Sequence, residues 1–473
     1  MDQLDLARLQ FATTSIYHFF FVPITMGLSL LVAVLHTRWH RSGDPDMRRL
    51  TRFFGRLLLL SISVGVVTGL VQEFQFGLDW SMYSRFVGDV FGAPLAMEGL
   101  AAFFLEAVFL GVWWFGWDAL PRRLHLFTAW MIPLGACLSA LFIIAANSWM
   151  QNPRGYAVNP TTGRAELTDF GAVFSNPVFL WGYVHVLLVA LIFGGAVMLA
   201  TSAWHLRRGN DVRLFRGTAK LGLWVLVVGS VLQFPVGGRL GINETTYQPM
   251  KIAAAEANWE TCQPCSFSVI QIGGYDEDET PTKIIEIPHL LSLLATGTWD
   301  GQVQGLSELN AQYNEQYGPG YYVPNVFIQY WSMRAMAYLA LVGVLMGLWG
   351  AILLWRKRFE TSSFFLRVCG WLILVPFVMA TAGWLLTESG RQPWIVQGLM
   401  LTADGLSGSG SAAQVAISLG IVILLYTSIG IVAAVLMIRQ ARRGIPDDPV
   451  PVHSHAPSDG IDSDAADLSP LTY

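Results

Sequence analysis

Ionisable and sulfur-bearing side chains are scarce inside the apolar stretches of this sequence, and the few that occur there limit the chemistry open to it. His18, His185, Glu98 and Glu106 each interrupt a long hydrophobic run, and Arg334, Met336, Glu388 and Arg391 lie near the ends of two others. Polar groups at such depth are costly to desolvate, so they mark functional positions by default. All eight fall at or below one membrane face, with Glu106 about 12 Å deeper than Glu98 at 1.5 Å per residue. Each also has a plain structural reading: a hydrogen-bonded core histidine, a methionine filling the core, or an i,i+3 ion pair of Glu388 with Arg391 at a helix end. Taken jointly, the set suits haem. Imidazole and thioether serve as low-spin axial ligands, whereas a carboxylate leaves the iron high-spin with its other face open. Two deep histidines are too few for two bis-histidine haems, which argues against an ordinary dihaem anchor. His36, His40, His125 and His205 lie at the opposite ends of their runs and are expected at the interface.

A second constellation follows a membrane exit, in the stretch from Gln248-Pro249-Met250-Lys251 to Glu256. A five-residue helical spacing separates Lys251 and Glu256 by about 140°, so they need not pair with each other. They could flank a polar head group at the interface, or form a solvated amphipathic turn. Cys262-Gln263-Pro264-Cys265 has redox-motif spacing but no βαβ context. A structural disulfide, with one another or with a partner, is expected there ahead of catalysis. Tyr275-Asp276-Glu277-Asp278-Glu279-Thr280 reads as an acidic solvated turn.

The elements that carry these residues follow from composition. The 473-residue chain is 53% hydrophobic and only 13% charged, where a soluble protein carries about a quarter charged residues. The expected class is an all-α polytopic membrane protein, and the net charge of −4 gives no reason to expect a nucleic-acid partner. Runs long enough to span lie near 15–37, 55–78, 94–117, 126–149, 178–203, 219–239, 326–354, 364–387 and 412–437. The organisation is therefore 1–240 with six spans, an extracytoplasmic loop at 241–325, three more spans at 326–438, and a disordered tail at 439–473. The start, Met1-Asp2-Gln3, lacks a basic n-region and reads as a retained span. Pro23, Pro133, Pro235 and Pro376 fall inside spans, where kinks are expected. Orientation comes from basic residues. One set of connections holds Arg38, Arg41, Arg48, Arg49, Arg52, Arg122, Arg123, Arg207, Arg208, Arg213, Arg216, Arg356, Lys357 and Arg358, and ends with Arg439, Arg442 and Arg443. The other has a few residues spread thinly. This places the N-terminus and the large loop outside and the C-terminal tail in the cytoplasm.

Four stretches then resemble a known family. Gly383-Trp384-Leu385-Leu386-Thr387-Glu388-Ser389-Gly390-Arg391-Gln392-Pro393-Trp394 is similar to the signature of subunit I of cytochrome bd-type quinol oxidases. So are Pro94–Leu100 with Phe103–Glu106, Ala146–Pro153, and the Gln248–Glu256 run. GRQPW together with QPxK is a highly specific combination, and the likeness covers all nine spans. It implies a bacterial cytoplasmic (inner) membrane protein carrying a low-spin haem b, a high-spin haem b and a haem d. His185 and Met336 would ligate the low-spin haem, with Arg334 beside its propionates. His18 and Glu388 would ligate the high-spin haem b and haem d, in an order left open, with Glu98 close by. Trp384 would lie between haems, and Arg391 would join the catalytic set beside Glu388. Glu106 and Ser139 would sit on a proton route from the cytoplasm. Lys251 and Glu256 would bind and deprotonate quinol in the outer loop, which resembles the shorter of the family's two loop forms. The Cys262/Cys265 pair departs from the family's pattern. Implied partners are a second large membrane subunit (subunit II), small single-span subunits, quinol, O2 and the bilayer.

The expected function is oxidation of quinol at the outer face and reduction of O2 to water with cytoplasmic protons. The rival is a transporter whose Glu98, Glu106, Glu388 and Arg391 bind an ion or solute, which needs broken helices near the midplane.

Overall fold

The computed structural model describes residues 2–408 and 410–445. Among the described residues nine helices are long and apolar enough to cross a membrane. They are α1 (Gln3–Ser42), α2 (Pro45–Leu78), α3 (Ser81–Phe115), α4 (Arg122–Gln151), α5 (Pro177–Arg208), α6 (Val212–Tyr247), α7 (Val326–Trp355), α8 (Ser363–Ser389) and α9 (Ala412–Arg442). This is the all-α, multi-pass membrane architecture expected. Local sequence sets the ends. Asp44 and Asn176 cap α2 and α5 with Pro at the first turn, Ser411 and Gln414 form a capping box on α9, and α1 and α5 stop at Gly43 and Gly209, whose φ angles of 68° and 73° are left-handed. Several helices outrun their apolar cores. α1 begins at Gln3 instead of 15, and α6 continues to Tyr247 instead of 239, carrying Glu244 outward. Hydropathy marks only the lipid-depth part of a helix; polar turns beyond it keep the backbone bonds without adding to the apolar signal. Of the tail 439–473, α9 takes the part up to Arg442, and residues from 446 onward lie outside the described residues.

The centre is made by α1, α5 and α6. A Cβ on Gly27 would lie 1.9 Å from the Ala190 carbonyl oxygen, and one on Gly222 would lie 2.8 Å from that of Gly195, so only glycine permits these backbone approaches. By contrast α3 and α9 are the least covered helices, with Leu100, Phe104, Phe115, Ile421 and Leu424 exposed. At one end of the bundle the basic connections bind each other. Arg213 pairs with Asp46 at 2.5 Å, Arg49 donates to the Ile445 carbonyl at 3.2 Å, and Arg216 pairs with Glu360.

Three of the four histidines expected at the interface of that end are instead core residues. His36 accepts from Trp113 Nε1 at 2.9 Å, His125 donates to the Trp113 carbonyl at 2.8 Å, and His205 stacks on Phe215 at 4.0 Å. Their surroundings are Trp39, Trp113 and Trp117 for the first two, an aromatic box that hydropathy does not disclose.

Two helices depart from α geometry. α3 widens into a π-turn at Glu98–Phe103 and α8 does so at Leu385–Ser389. Both π-turns contain a candidate carboxylate, Glu98 and Glu388, and such turns cluster at functional sites. α8 also breaks between Trp371 and Leu374, the kind of break that the transporter reading needs, so helix continuity does not decide between the two readings.

Between α6 and α7 the chain forms a separate layer: a short helix Pro249–Ala255, a hairpin pairing Phe267–Ile272 with Thr282–Ile287, and helices Leu290–Thr296 and Leu306–Tyr317. The acidic run is the hairpin's tip, where Glu279 accepts from the Tyr275 amide. Cys262 and Cys265 are disulfide-bonded to one another.

Candidate functional site

The short helix Pro249–Ala255 is not a solvated turn. Its Lys251 is 3% exposed and the following Glu256 is 7% exposed, and the two do not pair. Lys251 Nζ donates to Glu244 Oε2 and to Gln151 Oε1, each at 2.7 Å. Glu256 Oε2 accepts from Arg334 Nη2 at 2.7 Å, and the same guanidinium donates to the carbonyls of Ala255 and Ser268 and lies 3.7 Å over the Tyr330 ring. Burial pushes the Glu256 carboxyl above its ordinary value, against the opposing pull of Arg334. The loop between α6 and α7 therefore holds one buried cation and one buried carboxylate, each neutralised by a side chain of a membrane helix.

The π-turn of α8 sits directly beneath. Glu388 Oε2 accepts from Arg391 at 2.5 Å and Glu388 Oε1 from Asn147 Nδ2 of α4 at 2.8 Å. A Cβ on Gly390 would lie 2.5 Å from Lys251 Cγ, so the lysine stem passes over this glycine. Tyr322 from the loop stacks on Trp394 at 5.5 Å. Gln248, Met250, Tyr313, Tyr322, Arg391 and Trp394 line a small cavity at this junction. Arg391 Nε and Nη1 and Trp394 Nε1 are buried there without a hydrogen-bond partner.

Deeper in, α8 lies between α7 and α1. A Cβ on Gly383 would lie 3.3 Å from Met336 Sδ, and the next residue, Trp384, meets Phe19 edge-on at 5.1 Å. α8 thus meets α7 at Met336 and α1 at Phe19, the residue after His18. His18 Nδ1 is 3.0 Å from Thr68 Oγ1, and Thr68 spends its hydroxyl proton on the carbonyls of Val64 or Gly65. The imidazole must then donate from Nδ1, which leaves Nε2 as a lone-pair ligand in a fixed orientation. His185, on α5, has a buried Nδ1 without a partner, and Gln233 grips its backbone carbonyl. Ile192 of α5, Ala340 of α7 and Met379 of α8 pack together further along these helices.

Ser139 Oγ donates to Glu98 Oε1 at 2.6 Å. One turn earlier on α4, a Cβ on Gly135 would lie 2.9 Å from Glu106 Cβ. Both α3 carboxylates thus follow one face of α4.

A family model described as cytochrome bd terminal oxidase subunit I matches residues 6–445. The chain belongs to this family. A relative from Bacillus subtilis (strain 168), named cytochrome bd ubiquinol oxidase subunit 1, is 40% identical over 452 residues, covering 95% of each chain. One from Escherichia coli (strain K12), named cytochrome bd-II ubiquinol oxidase subunit 1, is 33% identical and covers 94% of this chain and 97% of its own. The solved bd oxidase from Geobacillus thermodenitrificans superposes with a TM-score of 0.83 at 29% identity, over 93% of this chain and 99% of that one. As a cytochrome bd subunit I the chain is part of an oxidoreductase, and the transporter reading is overturned. Haem is implied by the family, and the donors fit it: a histidine with an orphaned buried nitrogen, another held in one tautomer, a thioether against Gly383 of α8, and a carboxylate in a π-turn.

Sequence reasoning missed Glu244 and Thr68, and gave no role to Asn147 and Gln151 although both lie in the Ala146–Pro153 stretch. Asn147 and Gln151 were visible as an i,i+4 polar pair at the end of an apolar run. Glu244 and Thr68 gave no comparable signal.

Proposed function

We propose that this cytochrome bd subunit I oxidises quinol on the face bearing Lys251 and Glu256 and reduces O2 to water with protons drawn from the opposite, cytoplasmic side. The observation that carries this reading is that Lys251 and Glu256 are both buried, with the Lys251 stem against Gly390 of the Glu388–Arg391 turn. The N-terminus and the loop are outside and the C-terminus inside, as the basic connections require. Lys251 presents N–H to a quinol oxygen, and Glu256, a carboxyl with a raised pKa, takes the quinol proton. Low-spin haem b would be held by His185 and Met336, and the high-spin haem b and haem d by His18 and Glu388; when bound, these groups supply one-electron transfer and the O2-binding position. Trp384 would lie between the haems, as the family resemblance implies. Arg391 balances the charge of Glu388 and, with Trp394, offers unpartnered donors to an anionic group. A subunit II and small single-span chains would cover the exposed faces of helices such as α3 and α9, as the family resemblance implies.

The test is purification of the intact complex. Extractable haems of b and d type, together with O2 uptake that requires quinol, are expected; a colourless complex or quinol-independent uptake overturns the reading.

Glu106 and Ser139 would carry protons inward from the cytoplasm past Glu98. Glu106→Gln keeps shape and hydrogen bonding but cannot exchange a proton, whereas Glu106→Asp can. Turnover is expected to stop in the first and persist in part in the second, with haem content measured alongside O2 uptake. Wild-type turnover at normal haem content in Glu106→Gln would remove this residue from the route.

A further inference from the structure

We infer that Asn147 and Gln151 form a coupling strap through which engagement of Lys251 by quinol changes the hydrogen bonding of Glu388; this inference rests on the oxidase reading above. The strap is continuous. Lys251 Nζ donates to Gln151 Oε1 at 2.7 Å, Gln151 Nε2 to Asn147 Oδ1 at 2.9 Å, and Asn147 Nδ2 to Glu388 Oε1 at 2.8 Å. Its direction is fixed by its ends. An ammonium has only donors, so Gln151 must turn its oxygen to Lys251 and its N–H2 to Asn147. Asn147 must then turn its own N–H2 to the carboxylate. Neither amide can flip without placing like groups face to face.

The platform is rigid. Asn147 and Gln151 stand one turn apart on α4, and Gln248 Nε2 holds the Gln151 backbone carbonyl at 2.6 Å. Gly390 keeps the lysine stem in contact with the Glu388 turn. Lys251 spends two of its three N–H donors on Glu244 and Gln151, and a quinol oxygen that takes the third draws Nζ toward itself and lengthens the bond to Gln151. Both amides are then released from their orientation and Glu388 loses a donor. No proton travels along the strap. It transmits orientation, and by linkage the effect is reciprocal.

The experiment uses the intact complex, with ubiquinone-1 and menadione as probes. It reads probe affinity, the high-spin haem absorption with and without probe, and haem content. In the wild type a saturating probe is expected to shift the high-spin absorption. Gln151→Leu should abolish that shift and, by removing the acceptor that competes with the probe for Lys251, tighten probe binding about tenfold, the scale of one hydrogen bond to a charged group. Gln151→Glu preserves the acceptor for Lys251 but offers no donor to Asn147, so affinity should be retained and the shift still lost. Being isosteric, it also covers a failure of Gln151→Leu to fold. Persistence of the shift in Gln151→Glu, or its absence in the wild type, overturns the strap while leaving the oxidase reading intact. A fall in thermal stability alone, with affinity and shift unchanged, assigns these residues to packing and also overturns it. A wild-type complex without haem fails the oxidase reading itself, and the strap with it.

Discussion

Replacing His185 by alanine is expected to eliminate the low-spin haem band and reduce quinol-driven O2 uptake to background. The imidazole has a buried Nδ1 with no protein partner, so its removal deletes no hydrogen bond from that atom, and the effect should be that of a lost ligand. An axial imidazole is a strong-field donor, and His36, His125 and His205 are hydrogen-bonded in the core at the other end of the bundle, away from this position. Met336→Leu is the companion variant. It conserves volume, so the pocket stays filled and haem is retained while the thioether is lost. The low-spin band should disappear in both variants, with haem content falling further in His185→Ala. A normal low-spin band in either one would reassign that ligand.

What could be read from the sequence depended on whether the signal was local. Nine spans were legible because about 20 consecutive apolar residues leave no other reading. Their ends were not, because the polar turns of α1 and α6 extend helices whose hydropathy has already stopped. The Cys262–Cys265 pairing was one of the readings left open by a spacing of three. The candidate ligands were legible one by one, as polar residues in apolar runs. Their partners were not: Lys251 meets Gln151, 100 positions away, and Arg334 meets Glu256, 78 away. The spacing argument correctly separated Lys251 from Glu256, yet it could not show that both are buried, since burial there comes from distant helices. The π-turns at Glu98 and Glu388 were invisible for a related reason. A π-turn inserts one residue without changing composition, and only packing against α4 and α7 reveals it.

Arg334→Leu is expected to be the most destabilising single substitution in the layer between α6 and α7. The Arg334 and Glu256 side chains are 2% and 3% exposed, and the guanidinium also satisfies two backbone carbonyls that tie the loop to α7. Removing one member of such a pair leaves an uncompensated buried charge and costs about 3–5 kcal/mol. The pH dependence has a definite sign. Burial already raises the Glu256 carboxyl, and Arg334 is the group that opposes it; without the arginine the carboxyl rises further. A group whose folded pKa is raised favours the folded state below its unfolded pKa and loses that contribution as pH rises through the folded value. Arg334→Leu should therefore lose far more thermal stability at pH 8 than at pH 5, where protonated Glu256 needs no cation. The double variant Arg334→Leu with Glu256→Leu should recover stability at pH 8, because an apolar pair replaces the ionic one. It should not recover quinol oxidation, since the proposed base is gone. Unfolding of the intact complex followed at both pH values gives the decisive comparison. An equal loss in Tm at pH 5 and pH 8 would show that the guanidinium serves the loop through its carbonyl bonds and its stacking on Tyr330, with the charge of Glu256 playing no part.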